Sequence, residues 1–187
     1  MRIIGGKFKG RSIIAPKGMT SRPTTDRTRE ALFNILSSRD DVDFEGARII
    51  DLFAGSGALG LEAMSRGGAW CLFVETDAAA RGAIRDNIEA LSLFGVTRLH
   101  RRSATDLGAK PANVGPPFTL AFLDPPYRKG LYEPALKNLK DGGWLQPGAI
   151  AIVEQAKDET PPSADGFIEV DRRIYGDTQV GIYRFER

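Results

Sequence analysis

An α/β fold built on a mostly parallel sheet with right-handed crossovers is predicted by three observations. Short apolar runs alternate with segments of helical periodicity along most of the chain. One run, Ile49-Ile50-Asp51-Leu52-Phe53, leads into Ala54-Gly55-Ser56-Gly57-Ala58-Leu59-Gly60, a strand followed by a G-x-G-x-x-G turn. Glu75 stands 20 positions beyond Gly55, after Leu72-Phe73-Val74, where such folds hold a carboxylate against ribose hydroxyls. In such a turn the first two glycines let the backbone bend tightly and approach a ligand, and the third lets helix and strand pack closely. The ligand then faces a helix N-terminus.

Taken in order, residues 2–4 and 11–14 are extended segments around the basic loop Gly5-Gly6-Lys7-Phe8-Lys9-Gly10, the pattern of a hairpin. Residues 16–23 connect. Thr24-Thr25-Asp26 can cap a helix to about Ser38, whose Ala31, Leu32, Ile35 and Leu36 mark one core face. Phe33 fits this helix core better than a ligand contact. Strand 49–53 precedes a helix from about Ser56 to Ser65, closed by Gly67-Gly68. Strand 70–75 precedes a helix from about Asp77 to Leu93, and a third strand covers 97–102. A polar, Pro-rich stretch to Pro117 holds a turn or short helix. Phe118–Leu123 is a fully apolar strand, followed by a helix over 132–139 and a strand over 150–154. Segments 166–174 and 178–185 flank Tyr175-Gly176-Asp177 and read as a closing hairpin with an antiparallel edge. The chain reads as one domain over 1–187: a basic hairpin and connection over 1–23, then a catalytic core over 24–187.

Charge and composition narrow the function. The net charge is +2, yet residues 1–30 carry +6 and the remainder −4, a basic arm on a mildly acidic body that suits a polyanionic partner. No apolar run has the length of a membrane span, and no secretory h-region follows Met1-Arg2, so a cytoplasmic protein without a membrane partner is expected. One cysteine, Cys71, and one histidine, His100, are too few for a zinc site, so no metal is expected, and no nucleophile motif accompanies His100. Cys71 reads as a small core residue. No apolar stripe calls for a second copy, so a monomer is expected.

A second chemical motif, Asp124-Pro125-Pro126-Tyr127, follows the most apolar strand. In open α/β sheets this places it at the same edge as the glycine loop. Two prolines hold a rigid backbone of carbonyl acceptors, Asp124 adds a carboxylate and Tyr127 a ring. That set suits a planar base with an exocyclic amine. A plain post-strand turn is the bland alternative.

Asp124-Pro125-Pro126-Tyr127 resembles the signature of methyltransferases that act on amino groups of bases. Asp51-Leu52-Phe53-Ala54-Gly55-Ser56-Gly57 resembles their S-adenosylmethionine loop. Gly5 to Arg11, then Arg22-Pro23-Thr24-Thr25-Asp26-Arg27-Thr28-Arg29-Glu30, then Leu32-Phe33-Asn34 resemble the N-terminal region of the RsmD family, over nearly the whole chain. This family modifies N2 of guanine 966 in 16S ribosomal RNA.

The resemblance implies a Rossmann-like class I methyltransferase fold with a seven-stranded, mostly parallel sheet, a C-terminal antiparallel hairpin and a small N-terminal β-hairpin. It implies S-adenosylmethionine rather than NAD as cofactor, and 16S rRNA in the small ribosomal subunit or its precursor as partner. Gly55, Ser56 and Gly57 would pass under the cofactor with Phe53 at the loop and Asp51 either anchoring the loop or reaching the amino acid end, Glu75 would accept from the ribose, and Thr76 or Asp77 would border the adenine. Ser103 and Ala104 would complete the adenine site, with Ser103 in place of the acidic residue common there. Thr24, Thr25 and Arg27 would lie near the carboxylate end. Asp124, Pro125, Pro126 and Tyr127 would hold the base, Asp124 also facing the cofactor. Lys7, Lys9, Arg11 and Arg22 would meet RNA phosphates. Three rival readings share part of this pattern: an amino methyltransferase for DNA adenine or another RNA, an NAD-dependent oxidoreductase, and a non-catalytic RNA-binding module.

Overall fold

The computed structural model describes residues 1–17 and 25–186, so the expectations for Arg22 and Thr24 lie outside the described residues. The chain order is α1 (Asp26–Ser38), β1 (Arg48–Leu52), α2 (Ala58–Ser65), β2 (Trp70–Val74), α3 (Ala78–Ala90), β3 (Thr97–His100), β4 (Phe118–Leu123), α4 (Tyr132–Asp141), β5 (Leu145–Ala156), β6 (Phe167–Tyr175) and β7 (Thr178–Phe185). The strands form one seven-stranded sheet in the order β3-β2-β1-β4-β5-β7-β6. β1 to β5 run parallel, and β7 inserts antiparallel between β5 and β6. The mostly parallel sheet and closing hairpin are as the sequence predicts.

Alternation along the strands sorts the core into two layers. Ile49, Phe73, Phe122 and Ile152 face a cluster with Leu32, Phe33 and Leu36 of α1, Leu61 of α2 and Ile84 of α3. Ile50, Leu52, Leu72 and Val153 face Leu136 and Leu139 of α4 and the buried Trp144. Phe33 is fully buried and lies 5.5 Å from Phe44 and 5.7 Å from Phe122, ring to ring, so it is helix core. α1 starts where Thr25 caps it, its side-chain oxygen accepting the Thr28 N–H at 3.1 Å.

Several boundaries differ from the sequence expectation. α2 begins at Ala58 rather than Ser56, because Gly55 and Gly57 adopt left-handed φ of 60° and 82° that a helix cannot use. α3 ends at Ala90, where Ser92 turns left-handed (φ 55°), and a short 3-10 turn covers Phe94–Val96. β5 starts at Leu145, five residues early, because Leu145 pairs with Phe118 before the register shifts to Leu120–Ile150. The N-terminal hairpin holds one bridge, Arg2 to Ser12, with Ile3 and Ile13 buried beneath it.

Candidate active site

The site is set by register. Leu52 pairs with Val74 on one side and Leu123 on the other. The next residue of each strand, Phe53, Glu75 and Asp124, therefore lies in one row at the carboxyl edge of the sheet. Neighbouring strands are about 4.8 Å apart, so the Glu75 and Asp124 backbones are separated by about 10 Å. Chain connections leave β1 and β4 in opposite directions, which makes this row the switch point of the sheet. Val74 also pairs with His100, and Leu123 with Val153, so Arg101 and Glu154 extend the row. Sequence reading did not single out Glu154. It is a buried acid inside an apolar strand, and that contrast is its one signal.

The glycine loop and Glu75 form one unit. Glu75 Oε1 accepts the Gly55 N–H at 2.8 Å, and Oε2 accepts the Asp77 N–H at 3.0 Å. Each carboxylate oxygen retains a lone pair. The loop closes through Ala54 N–H to the Val74 carbonyl (3.1 Å) and Gly57 N–H to the Ala54 carbonyl (2.7 Å). Phe53 itself turns left-handed (φ 57°), an uncommon conformation for an aromatic residue. A Cβ on Gly55 would meet only the Phe53 carbonyl, at 4.0 Å, so the loop presents bare backbone to open space. At Gly60 a Cβ would fall 2.6 Å from the Phe73 ring and 2.8 Å from Cys71 Sγ. Gly55 thus shapes a cradle, and Gly60 lets the helix lie on the sheet. A bare loop beside a carboxylate with capacity for two hydroxyls fits a nucleoside with a ribose.

Asp51 sits beneath this surface. It is buried, and its Oδ2 accepts the Gly60 N–H at 3.0 Å. Burial pushes its carboxyl well above the usual range and the Glu75 charge adds to this, while the Gly60 N–H opposes it. Beyond Glu75, Thr76 is exposed and its carbonyl accepts from the Arg81 guanidinium. Asp77 caps α3. Ser103 is engaged locally, its Oγ 2.9 Å from Thr105 Oγ1 and accepting the Thr105 N–H at 3.2 Å, with Ala104 buried beside it.

The motif Asp124–Tyr127 leaves β4 with Asp124 half-buried, Pro125 buried and Pro126 exposed. Tyr127 Oη lies 3.0 Å from Thr178 Oγ1 at the start of β7, which fixes its ring against the closing hairpin. Tyr132, at the start of α4, donates to Glu159 Oε2 at 3.0 Å. Burial, then this carboxylate, hold the Tyr132 phenol far above its ordinary pKa. Glu159 is a second residue that sequence reading missed, in a polar linker with no pattern to mark it.

The N-terminal cations lie elsewhere. The Lys7 N–H donates to the Ser65 carbonyl at 2.7 Å and the Phe8 N–H to Ser65 Oγ at 2.9 Å, so the hairpin tip docks on the C-terminal end of α2. That is the opposite end from the glycine loop. Lys7 and Lys9 are exposed there, and Arg11 donates to the Ala90 carbonyl at the end of α3. The arm is anchored by Glu62, buried in α2, which accepts the Ile4 and Gly5 N–H groups at 2.8 and 2.9 Å and faces Arg29 at 3.7 Å. Arg27 is exposed in the first turn of α1. Among the described residues no group of His, Cys, Asp or Glu is placed to hold a metal ion, and no helix is long and apolar enough to cross a membrane.

Residues 1–184 match the family model described as Conserved hypothetical protein 95. The chain is 35% identical over 185 residues to the YlbH protein of Bacillus subtilis, covering 98% of each. It is 35% identical over 187 residues to the Ribosomal RNA small subunit methyltransferase D of Escherichia coli K12, covering 100% of this chain and 90% of that one. A solved structure of yhhF from Escherichia coli superposes with a TM-score of 0.84 at 37% identity, covering 100% of this chain and 98% of the other. The fold is that of class I methyltransferases.

Proposed function

Because the chain belongs to the Conserved hypothetical protein 95 family, the RsmD family, we propose that it methylates the N2 amine of a guanine, guanine 966, in 16S rRNA, with S-adenosylmethionine as donor. The observation that carries this reading is the row Glu75–Phe53–Asp124, which sets a ribose-type acceptor and a base-type acceptor on either side of the bare glycine loop. The protein acts as a cytoplasmic monomer on the small ribosomal subunit or its precursor.

The residues divide the work. Glu75 accepts from the ribose hydroxyls, and Gly55, Ser56 and Gly57 give close backbone approach. Phe53 and Thr76 border the cofactor, and Ser103 and Ala104 form the adenine side, with the Ala104 N–H as donor. Thr25 and Arg27 lie toward the carboxylate end. Asp51 holds the loop through Gly60. S-adenosylmethionine, when bound, supplies an electrophilic methyl group.

The guanine amine is a poor nucleophile because its lone pair is delocalised into the ring. Asp124 and the carbonyl of Pro125 or Pro126 accept its N–H groups, turn the lone pair toward the methyl and stabilise the charge that develops on nitrogen. Tyr127, steadied by Thr178, stacks on the base. Positioning supplies most of the acceleration. No strong base is needed, since the methylated amine is far more acidic and loses its proton late. The base reaches this row unstacked from its strand. Lys7, Lys9 and Arg11 meet phosphates remote from the reacting base, for affinity rather than choice of site.

The test is transfer of labelled methyl from S-adenosylmethionine to under-methylated small subunits, followed by nucleoside analysis. Labelled N2-methylguanosine at one position is the expected result. Labelled N6-methyladenosine would keep the chemistry and overturn the target. Cofactor binding without transfer would favour a binding module.

A further inference from the structure

We propose that Arg128 and Lys129 form a clamp for the RNA phosphates that flank the target base, with Asp158 holding Arg128 until RNA displaces it. The inference rests on the rRNA reading above and names the contact nearest the reacting centre. The turn follows Tyr127 directly. Arg128 and Gly130 both adopt left-handed φ, 61° and 64°. The Arg128 N–H donates to Glu159 Oε1 at 2.7 Å. The other carboxylate oxygen of Glu159 accepts the Ala156 N–H at 2.7 Å and the Tyr132 hydroxyl at 3.0 Å. One side chain thus ties both ends of the turn to the end of β5, so its backbone is fixed before any ligand arrives.

Two cations project from that fixed turn. The Arg128 guanidinium lies 2.7 Å from Asp158 Oδ1, with side chains 61% and 68% exposed. A pair so open to water and salt is weak and exchangeable. Arg39 and Arg66 differ: the first is 20% exposed against Asp41 at 31%, the second 16% against the buried Glu62. Lys129 is exposed and takes no ion pair among the described residues. A guanidinium can present two parallel N–H groups to phosphate oxygens, and an ammonium can act as a point charge. The occupant is therefore the backbone of single-stranded RNA, and Asp158 is its intramolecular competitor.

The test compares wild type, Arg128→Ala, Lys129→Ala and Asp158→Asn. Binding to under-methylated small subunits is measured across a salt series, KM and kcat for the same subunits are measured, and cofactor affinity is measured by calorimetry. Arg128→Ala and Lys129→Ala are expected to raise KM for the subunit. Each should reduce the slope of log affinity against log salt by about 1, with cofactor affinity unchanged. Asp158→Asn is expected to tighten subunit binding by up to about fivefold, because it releases Arg128. If the ion pair were only a brace for the turn, Asp158→Asn would weaken binding as Arg128→Ala does, and the clamp would be overturned. Wild-type binding with an unchanged slope in Arg128→Ala would also overturn the clamp and leave the rRNA reading standing. Wild-type protein that neither binds nor methylates the subunit would overturn both.

Discussion

Glu75 Oε1 accepts the Gly55 N–H at 2.8 Å, so the acid proposed to face a ribose also holds the glycine loop in place. Glu75→Ala removes both functions. Cofactor affinity is expected to fall more than about tenfold, since hydrogen bonds to a charged acceptor contribute about 1.5–3 kcal/mol each. Glu75→Gln keeps an acceptor for Gly55 and should lose less. Calorimetric titration with S-adenosylmethionine gives the ranking, and equal losses in the two variants would count against the double role.

Asp124→Ala should abolish methyl transfer while leaving cofactor binding within severalfold of wild type. Single-turnover rates and calorimetry on the same preparation separate the two. A loss of cofactor affinity equal to the loss of rate would refute the assignment of Asp124 to the base.

Gly55 and Gly60 make opposite predictions. Gly55→Ala finds open space but a φ of 60°, so the fold should survive at a cost of about 1 kcal/mol while cofactor binding drops. Gly60→Ala would drive a methyl against the Phe73 ring and Cys71, and should lower Tm sharply or prevent folding. Thermal melts with and without cofactor distinguish them: in Gly55→Ala the ligand-free Tm should fall only slightly while ligand stabilisation shrinks, whereas the Gly60 variant should lose far more Tm without ligand.

Asp51→Asn is expected to stabilise the protein at neutral pH. The Asp51 carboxyl has a raised folded-state pKa, so folding favours its protonated form. Its contribution is greatest below the ordinary carboxyl pKa of about 4 and declines as pH rises through the folded value. Asn keeps an acceptor for the Gly60 N–H without the charge. The Tm difference between variant and wild type should therefore be small near pH 4 and widen toward pH 8. A constant difference would show that the buried charge is not its origin.

The sheet was legible because its strands are apolar runs bounded by turn residues, and the gathering of Gly55, Glu75 and Asp124 at one edge because each closes such a run. The start of β5 was not: Gln146-Pro147-Gly148 has the composition of a turn, and only pairing of Leu145 with Phe118 makes it strand. The end of α3 was obscured because Leu91 and Leu93 continue an apolar pattern past the left-handed Ser92. Asp51 reads in the sequence as a residue that either anchors the loop or reaches the amino acid end of the cofactor; its bond to the Gly60 N–H is the anchoring contact, and that partner could not be named from sequence because it belongs to the backbone. Glu159 carries no sequence signal, because its three bonds reach Ala156, Arg128 and Tyr132 across a polar linker. The basic arm was visible as charge, but its docking at the far end of α2 follows from packing on Ser65 and Glu62.

Cys71 is the chain's single cysteine, fully buried against Gly60 beneath the glycine loop, and burial followed by the Asp51 charge pushes its thiol well above the ordinary range. Such a sulfur is neither ionised nor reachable while β1, β2 and α2 stay together. The native protein thus carries its own reporter: a thiol-directed alkylating reagent can mark it only in molecules that have opened at the joint between sheet and loop. The labelling rate would time that opening directly, and a saturating ligand in the cradle should slow it in proportion to the affinity it gains there.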